Sequence, residues 1–310
     1  MATTARLCLK ARPTPTQLAD RLRPVDGAWP DGVELYLTAA DMASPQSVDD
    51  IVERIHDAEV PRGFAWLIEG PVDSLDGGDF DVARDSEADL ILLQRLADLA
   101  RRIQARAVNI HVISPSTDLS RLTLDCRAAL LRRAVPILAR FVDLIQNAGA
   151  VPTIENMPPV LRMRRGDYAF TPIGMASADL WWLTERVPGL RVLPDTSHAG
   201  LYLNARYRAP DPAHIWSAPL AQYLNQLAPD PTDLVGYLRH LPNIENAQIS
   251  NAEGILGEGL AYDRGDFDLD PAIRWLATQA HYIVTETIEA NNDDAVLMRG
   301  ALRRMRMVVA

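Results

Sequence analysis

Five segments of this 310-residue chain end an apolar, β-type run on a side chain that can hold a proton or a cation. VPTIENMPP presents Glu155 and Asn156. VLPDTSHAG presents Asp195 and, three residues on, His198. NAQISNAEG presents Gln248 and Asn251, YIVTETIEANN presents Glu286, and VNIHVIS presents His111. A carboxylate in apolar surroundings is costly unless it is paired or bound to a metal. Taken singly, a strand-end glutamate is more often a loop residue than a ligand, and His111 alone could be a hydrogen-bonded core histidine. Taken together, Glu155, Asp195 and Glu286 on converging strands cannot easily all ionise without a cation among them. The pattern points to a divalent-metal site.

Convergence of this kind needs a scaffold that aims many strand ends at one place. Short β-type runs alternate with longer helical patterns along the whole chain. Strands are expected at Leu7–Lys10, Gly32–Leu37, Gly63–Glu69, Ala107–Ile113, Val151–Asn156, Leu190–Asp195, Asn246–Ser250 and Tyr282–Thr287. Helices are expected at Pro15–Leu22, Ser47–Ala58, Glu87–Ala105, Thr123–Ala148, Ala178–Arg186, Pro271–Gln279 and Asp294–Met307. Ser47 and Asp50 mark one helix start, Pro136 should kink the long fourth helix, and Gly149 should end it. Such alternation favours a parallel sheet, and eight strand–helix units are what a closed (β/α)8 TIM barrel needs. The rival is an open doubly wound sheet, but no GxGxxG or GxxxxGK[ST] motif follows the first strand. No low-complexity linker divides the chain, so residues 1–310 read as one α/β domain, with Ala209–Pro219 an insertion after the sixth strand. In a barrel of this type the C-terminal strand ends share one pocket.

TIENMPP, PDTSHAG, NAQISNAEG with the later GEGLAYDRGDFDLDP, and YIVTETIE follow one another in an order and spacing that resembles the xylose-isomerase-like superfamily. That group includes sugar-phosphate isomerases and epimerases, ketose 3-epimerases, hydroxypyruvate isomerase, inosose dehydratase and endonuclease IV. The resemblance covers nearly the whole chain, with its specific motifs in the second half. It implies Glu155, Asp195 and Glu286 as metal ligands, and a His198 that contacts metal or substrate. Gln248 stands where the superfamily usually has a histidine ligand, and Asn251 where an aspartate follows. The set Glu155, Asp195, Gln248 and Glu286 would be all oxygen. It suits one Mn²⁺ or Mg²⁺ better than Co²⁺ or Zn²⁺, and should bind it more weakly.

The implied activity is that of a metal-dependent isomerase or epimerase acting on a small sugar-like or polyhydroxy carbonyl substrate. Proton abstraction next to the carbonyl would fall to Glu155 and Glu286 from opposite sides, with His198 stabilising the enediolate oxygen. His111 and Asn156 are expected to contact substrate. A lyase or dehydratase on the same intermediate is a close variant. An endonuclease IV-like nuclease is a further reading, and a non-catalytic barrel with a degenerate metal site is another. Against the nuclease stand six histidines in all, Glu69 at the strand-3 position where a histidine would be expected, and a net charge of -10, which disfavours nucleic acid as a partner.

Two loops carry specificity signals. In PPVLRMRRGDYAFTPIGM, Arg162, Arg164 and Arg165 are either solvated charge or a clamp for a phosphate or carboxylate, which would make the substrate anionic. In NARYRAPDPAHIWSAP, Tyr207, His214 and Trp216 form either a lid that brings Trp216 onto the substrate or a contact in a homo-oligomer. At 48% hydrophobic and 23% charged, the composition is that of an ordinary soluble globular protein. Cys8 and Cys126 lie in apolar segments and are expected as buried free thiols. MATTARLCLKARP holds no apolar run of signal-peptide length, and no stretch approaches the ~20 apolar residues of a membrane span. A reducing cytoplasm without a membrane partner is the expected setting.

Overall fold

Alternation decides what each strand places inside the sheet and what it places outside. The computed structural model describes residues 5–310; the first four residues of the segment read for a leader lie outside it. Eight barrel strands follow one another: β1 (Arg6–Ala11), β2 (Gly32–Tyr36), β3 (Ala65–Glu69), β4 (Ala107–His111), β5 (Val151–Glu155), β6 (Arg191–Leu193), β7 (Asn246–Ile249) and β8 (Tyr282–Thr285). They pair in the order β6-β5-β4-β3-β2-β1-β8-β7, every pair parallel. Only the join between β6 and β7 lacks a continuous ladder. Isolated parallel bridges close it, Val192 with Ile244 and Asp195 with Gln248. The expected single-domain TIM barrel is the fold observed.

Outward residues such as Leu9, Leu35, Ile68, Ile110 and Ile154 are buried under the surrounding helices. Inward, the barrel floor is a small apolar layer of Cys8, Leu67, Ala107 and Val284. Gly32 completes it, because a Cβ there would lie 2.4 Å from the Ala65 carbonyl oxygen and 3.0 Å from Cys8 Sγ. Two residues further along each strand the interior turns polar, with Lys10, Glu69, Asn109 and Glu286. Glu34, Thr153 and Gln248 also face inward. Another step of two on β4 and β5 brings His111 and Glu155. All except Glu286 are buried.

Ten α-helices among the described residues surround the strands: α1 (Pro15–Arg21), α2 (Pro45–His56), α3 (Glu87–Ile103), α4 (Leu124–Asn147), α5 (Ser177–Arg186), α6 (Thr196–Tyr207), α7 (Ser217–Leu224), α8 (Leu234–Arg239), α9 (Asp270–Leu276) and α10 (Val296–Val309). The second helix starts earlier than the expected Ser47. Ser44 accepts from the Ser47 N–H at 3.1 Å, and Pro45 takes the first helical position, where its missing N–H costs nothing. α4 continues through Pro136. The Ala209–Pro219 insertion leads into α7, and α8 follows before β7. Two short antiparallel ribbons rise above the barrel, Val160–Leu161 with Ala169–Phe170 and Asn251–Glu253 with Gly257–Leu260. Cys8 is buried, but Cys126 is only half-buried at the outer start of α4. No described helix is long and apolar enough to cross a membrane.

Candidate active site

The C-terminal strand ends open into a cavity of about 430 Å³, with Lys10, Glu69, His111, Asp195, His198 and Glu286 on its wall. Glu155 lies just beneath. Its Oε2 accepts from Asn109 Nδ2 at 2.7 Å and is 3.5 Å from His111 Nε2. Its Oε1 is 2.7 Å from His198 Nδ1. Burial alone would raise the Glu155 carboxyl, but the His111 and His198 rings bring it down to about 2.

Asp195 follows β6 and caps α6. Its Oδ1 accepts from the His198 backbone N–H at 2.5 Å, which puts the aspartate and the histidine on one helical turn. Asn156, expected as a substrate contact, instead holds Asp195. Its Oδ1 accepts from the Asp195 N–H at 2.7 Å, and its Nδ2 donates to the Asp195 carbonyl at 3.1 Å. Burial raises Asp195 to about 6, with His198 opposing. The His198 ring is held at both nitrogens: Nδ1 faces Glu155 and, at 3.0 Å, the Asn156 carbonyl, and Nε2 faces Glu258 Oε1 at 2.9 Å. Burial opposes charge on this imidazole, but Asp195 and Glu155 outweigh it and hold its pKa well above the ordinary range.

On the opposite wall the structure reveals groups the motifs do not signal. Lys10 forms ion pairs with Glu69 and Glu286, and its ammonium lies 5.3 Å from the centre of the Tyr36 ring. Gln248 Nε2 donates to Glu34 Oε1 at 2.6 Å and Glu69 Oε2 at 2.5 Å. Burial, reinforced by Glu69, pushes the Glu34 carboxyl up to about 8. Gln248 Oε1 and Glu286 Oε2 are buried atoms without a hydrogen-bond partner among the described residues. Asn251 lies outside the centre. Its side chain accepts from the Ala252 N–H at 2.9 Å and donates to the Phe267 carbonyl at 2.8 Å, pinning the second ribbon.

The loop residues divide. Arg162, Arg164 and Arg165 all border the cavity. Arg162 is already paired with Asp79, and Arg164 Nη2 donates to Glu258 Oε2 at 3.0 Å, tying the two ribbons together. Trp216 is a correction: it is buried outside the cavity. Its ring stacks on His214 at 4.8 Å and packs against Tyr168 and Phe170 at 5.1 and 5.5 Å, behind the first ribbon. Tyr207 donates to the Asp230 carbonyl at 2.5 Å, away from the cavity. In this structure the loop packs behind the first ribbon and supports it, with Trp216 off the cavity wall.

A divalent ion fits one side of this centre. Glu155, Asp195 and His198 each offer a ligand atom within 4.8 Å of the other two, and Glu69, His111 and Glu155 form a second such group. Imidazole nitrogen thus joins the expected oxygen set. Glu286 belongs to neither group.

No protein-family model and no curated protein matches the sequence. Solved structures do match the fold. A D-tagatose 3-epimerase-like protein superposes with a TM-score of 0.63 at 14% identity, covering 98% of both chains. A 3-keto-D-glucoside 4-epimerase from E. coli gives 0.59 at 12%, covering 98% of this chain and 99% of that one. A family 2 AP endonuclease from Brucella melitensis gives 0.57 at 13%, with 98% of both covered. The architecture that these structures share with the chain is the (β/α)8 TIM barrel. At these identities the likeness establishes the fold.

Proposed function

We propose that this barrel is an isomerase or epimerase of a small polyhydroxy carbonyl compound, working by proton transfer beside the carbonyl. The observation that carries the reading is the placement of proton-handling groups on opposite walls of one cavity. Glu286, with Oε2 unpartnered, stands on the β8 side, and His198, backed by Glu155, stands on the β5 and α6 side. Glu286 takes the proton from the carbon. The negative charge developing on the neighbouring oxygen falls on the His198 side of the cavity, where the Glu155, Asp195 and His198 group would hold a cation. A proton supplied to the opposite face from the Glu155–His198 side, while Glu286 keeps the one it took, gives the epimer; return of the Glu286 proton to the former carbonyl carbon, with the hydroxyl proton passing to the former carbonyl oxygen, gives the isomer. A divalent ion, with Mn²⁺ or Mg²⁺ the first candidates, would be held by Glu155, Asp195 and His198 and would supply Lewis acidity toward the substrate oxygens. The epimerases with this fold support the substrate class. With Arg162 and Arg164 already paired to carboxylates, a neutral polyol fits as well as an anionic one.

The test is solvent exchange. Wild-type protein with Mn²⁺ or Mg²⁺ in D₂O is offered ketoses, ketose phosphates, hydroxypyruvate and inososes, and followed by proton NMR. Deuterium is expected next to the carbonyl of one of them; loss of water instead would mark a dehydratase. No exchange with any of them would overturn the reading in favour of a binding barrel without turnover, which the Lys10–Glu286 pair favours. Cleavage of an abasic-site duplex would favour the nuclease.

A further inference from the structure

The side of the centre facing β1, β2 and β8 contains a cation of its own. Lys10 is inward by strand period, two residues beyond Cys8 of the floor. Its register partner on β2 is Glu34, and β1 runs beside β8, which delivers Glu286. The ammonium bridges Glu69 and Glu286, and the Lys10 side chain is 8% exposed. A buried ammonium is stable only while its carboxylates remain with it.

Gln248 completes the arrangement. At the position where a histidine ligand is expected, its amide N–H₂ faces the carboxylates of Glu34 and Glu69 at 2.6 and 2.5 Å. An N–H₂ group is a donor only and cannot bind a cation. The ammonium and the amide together neutralise or hydrogen-bond oxygens of Glu34, Glu69 and Glu286 without an ion. A metal that took Glu286 would have to displace the Lys10 ammonium and leave it buried beside a second positive charge. Coulomb repulsion between the two cations opposes that arrangement.

We propose that Lys10 is a built-in competitor of the divalent ion: its ammonium holds Glu286 out of the coordination sphere, confines the metal to Glu155, Asp195 and His198, and keeps metal affinity low. The assignment stands apart from the reaction proposed above, because it concerns the metal alone and can be tested without a substrate.

Mn²⁺ binding to the full chain, measured by isothermal titration calorimetry, is the experiment. Lys10→Met keeps an unbranched side chain, one atom shorter, and removes its charge. It should raise Mn²⁺ affinity by about tenfold or more, or create binding where the wild type shows none, with circular dichroism reporting a folded chain. Lys10→Arg retains a cation and should stay within about twofold of wild type. A folded Lys10→Met protein with unchanged or weaker Mn²⁺ affinity would overturn the proposal. Should that variant fail to fold, Glu286→Gln decides. Affinity within about twofold of wild type supports exclusion of Glu286, and a loss of about tenfold, the size expected when a ligand or its support is removed, overturns it.

Discussion

Asn156 uses both ends of its amide on the backbone of Asp195, and this fixes where the aspartate stands over the barrel. Asn156→Ala leaves the buried Asp195 N–H unpaired, while the Asp195 carbonyl keeps the Ala199 N–H at 3.1 Å. The expected cost is about 1–3 kcal/mol in urea unfolding for the group left unsatisfied. Mn²⁺ affinity should fall with it, since Asp195 loses its anchor; unchanged affinity in the variant would detach Asn156 from the site. Asp179 tests a different kind of residue, away from the cavity. It is buried against Arg127 and accepts from the Gly174 N–H at 3.0 Å. Burial raises its carboxyl to about 6, with Arg127 opposing. Unfolded, the group returns to about 4. The folded chain therefore keeps a proton that the unfolded chain has released. This contribution to stability is complete below about pH 4 and is lost as pH rises through about 6. Asp179→Asn should remove that slope. The wild-type-minus-variant difference in unfolding free energy should fall by about 2–3 kcal/mol between pH 4 and 7. A constant difference would mean that the carboxyl is ionised throughout.

The second ribbon brings Glu258 to His198, and Asn251 holds that ribbon to the chain at Phe267. Asn251→Ala should cost about 1–3 kcal/mol in stability. It should also broaden or shift the His198 ring resonances in NMR, because Glu258 is no longer held in place; unperturbed His198 signals would show that the ribbon is fixed by other contacts. Elements differ in how far they can be read from sequence. Glu155, Asp195 and Glu286 are visible because each is a charge in or at the end of an apolar strand next to a family-like motif. The same test, applied with the two-residue period that marks Cys8 and Gly32 as inward, also finds Lys10 in RLCLKA and Glu34 in GVELY. Motif order does not reach them, because the first half of the chain carries no motif. Glu258 lies inside the family-like segment GEGLAYDRGDFDLDP, but a ribbon strand of four residues is too short to show by its period that this carboxylate turns to His198. Trp216 marks an aromatic anchor in its loop, but only the packing of Tyr168 and Phe170 decides that it faces away from the cavity. Helix starts shift by a few residues where a better cap lies upstream, as Ser44 with Pro45 does for α2.

Across the whole molecule, seven of the eight strand junctions are ladders and the eighth is the join between β6 and β7. Three backbone hydrogen bonds cross it, from Val192 to Asn243, from Glu245 to Val192 and from Gln248 to Pro194, at 2.9–3.1 Å. Thr196 Oγ1 adds a bond to the Ser250 carbonyl at 2.7 Å. Local opening should be easiest there. The amides of Val192, Glu245 and Gln248 are expected to exchange with D₂O sooner than those of Leu9 and Leu35 in the middle of β1 and β2, as followed by mass spectrometry or NMR. Equal protection would make the ring uniformly stable. Because the join runs beside Asp195 and under Ser250, the barrel has a preferred direction of give. Its girth can widen between β6 and β7 while the other seven ladders stay intact. A bulkier ligand would be accommodated on the Asp195 side of the mouth, leaving the Lys10 wall rigid.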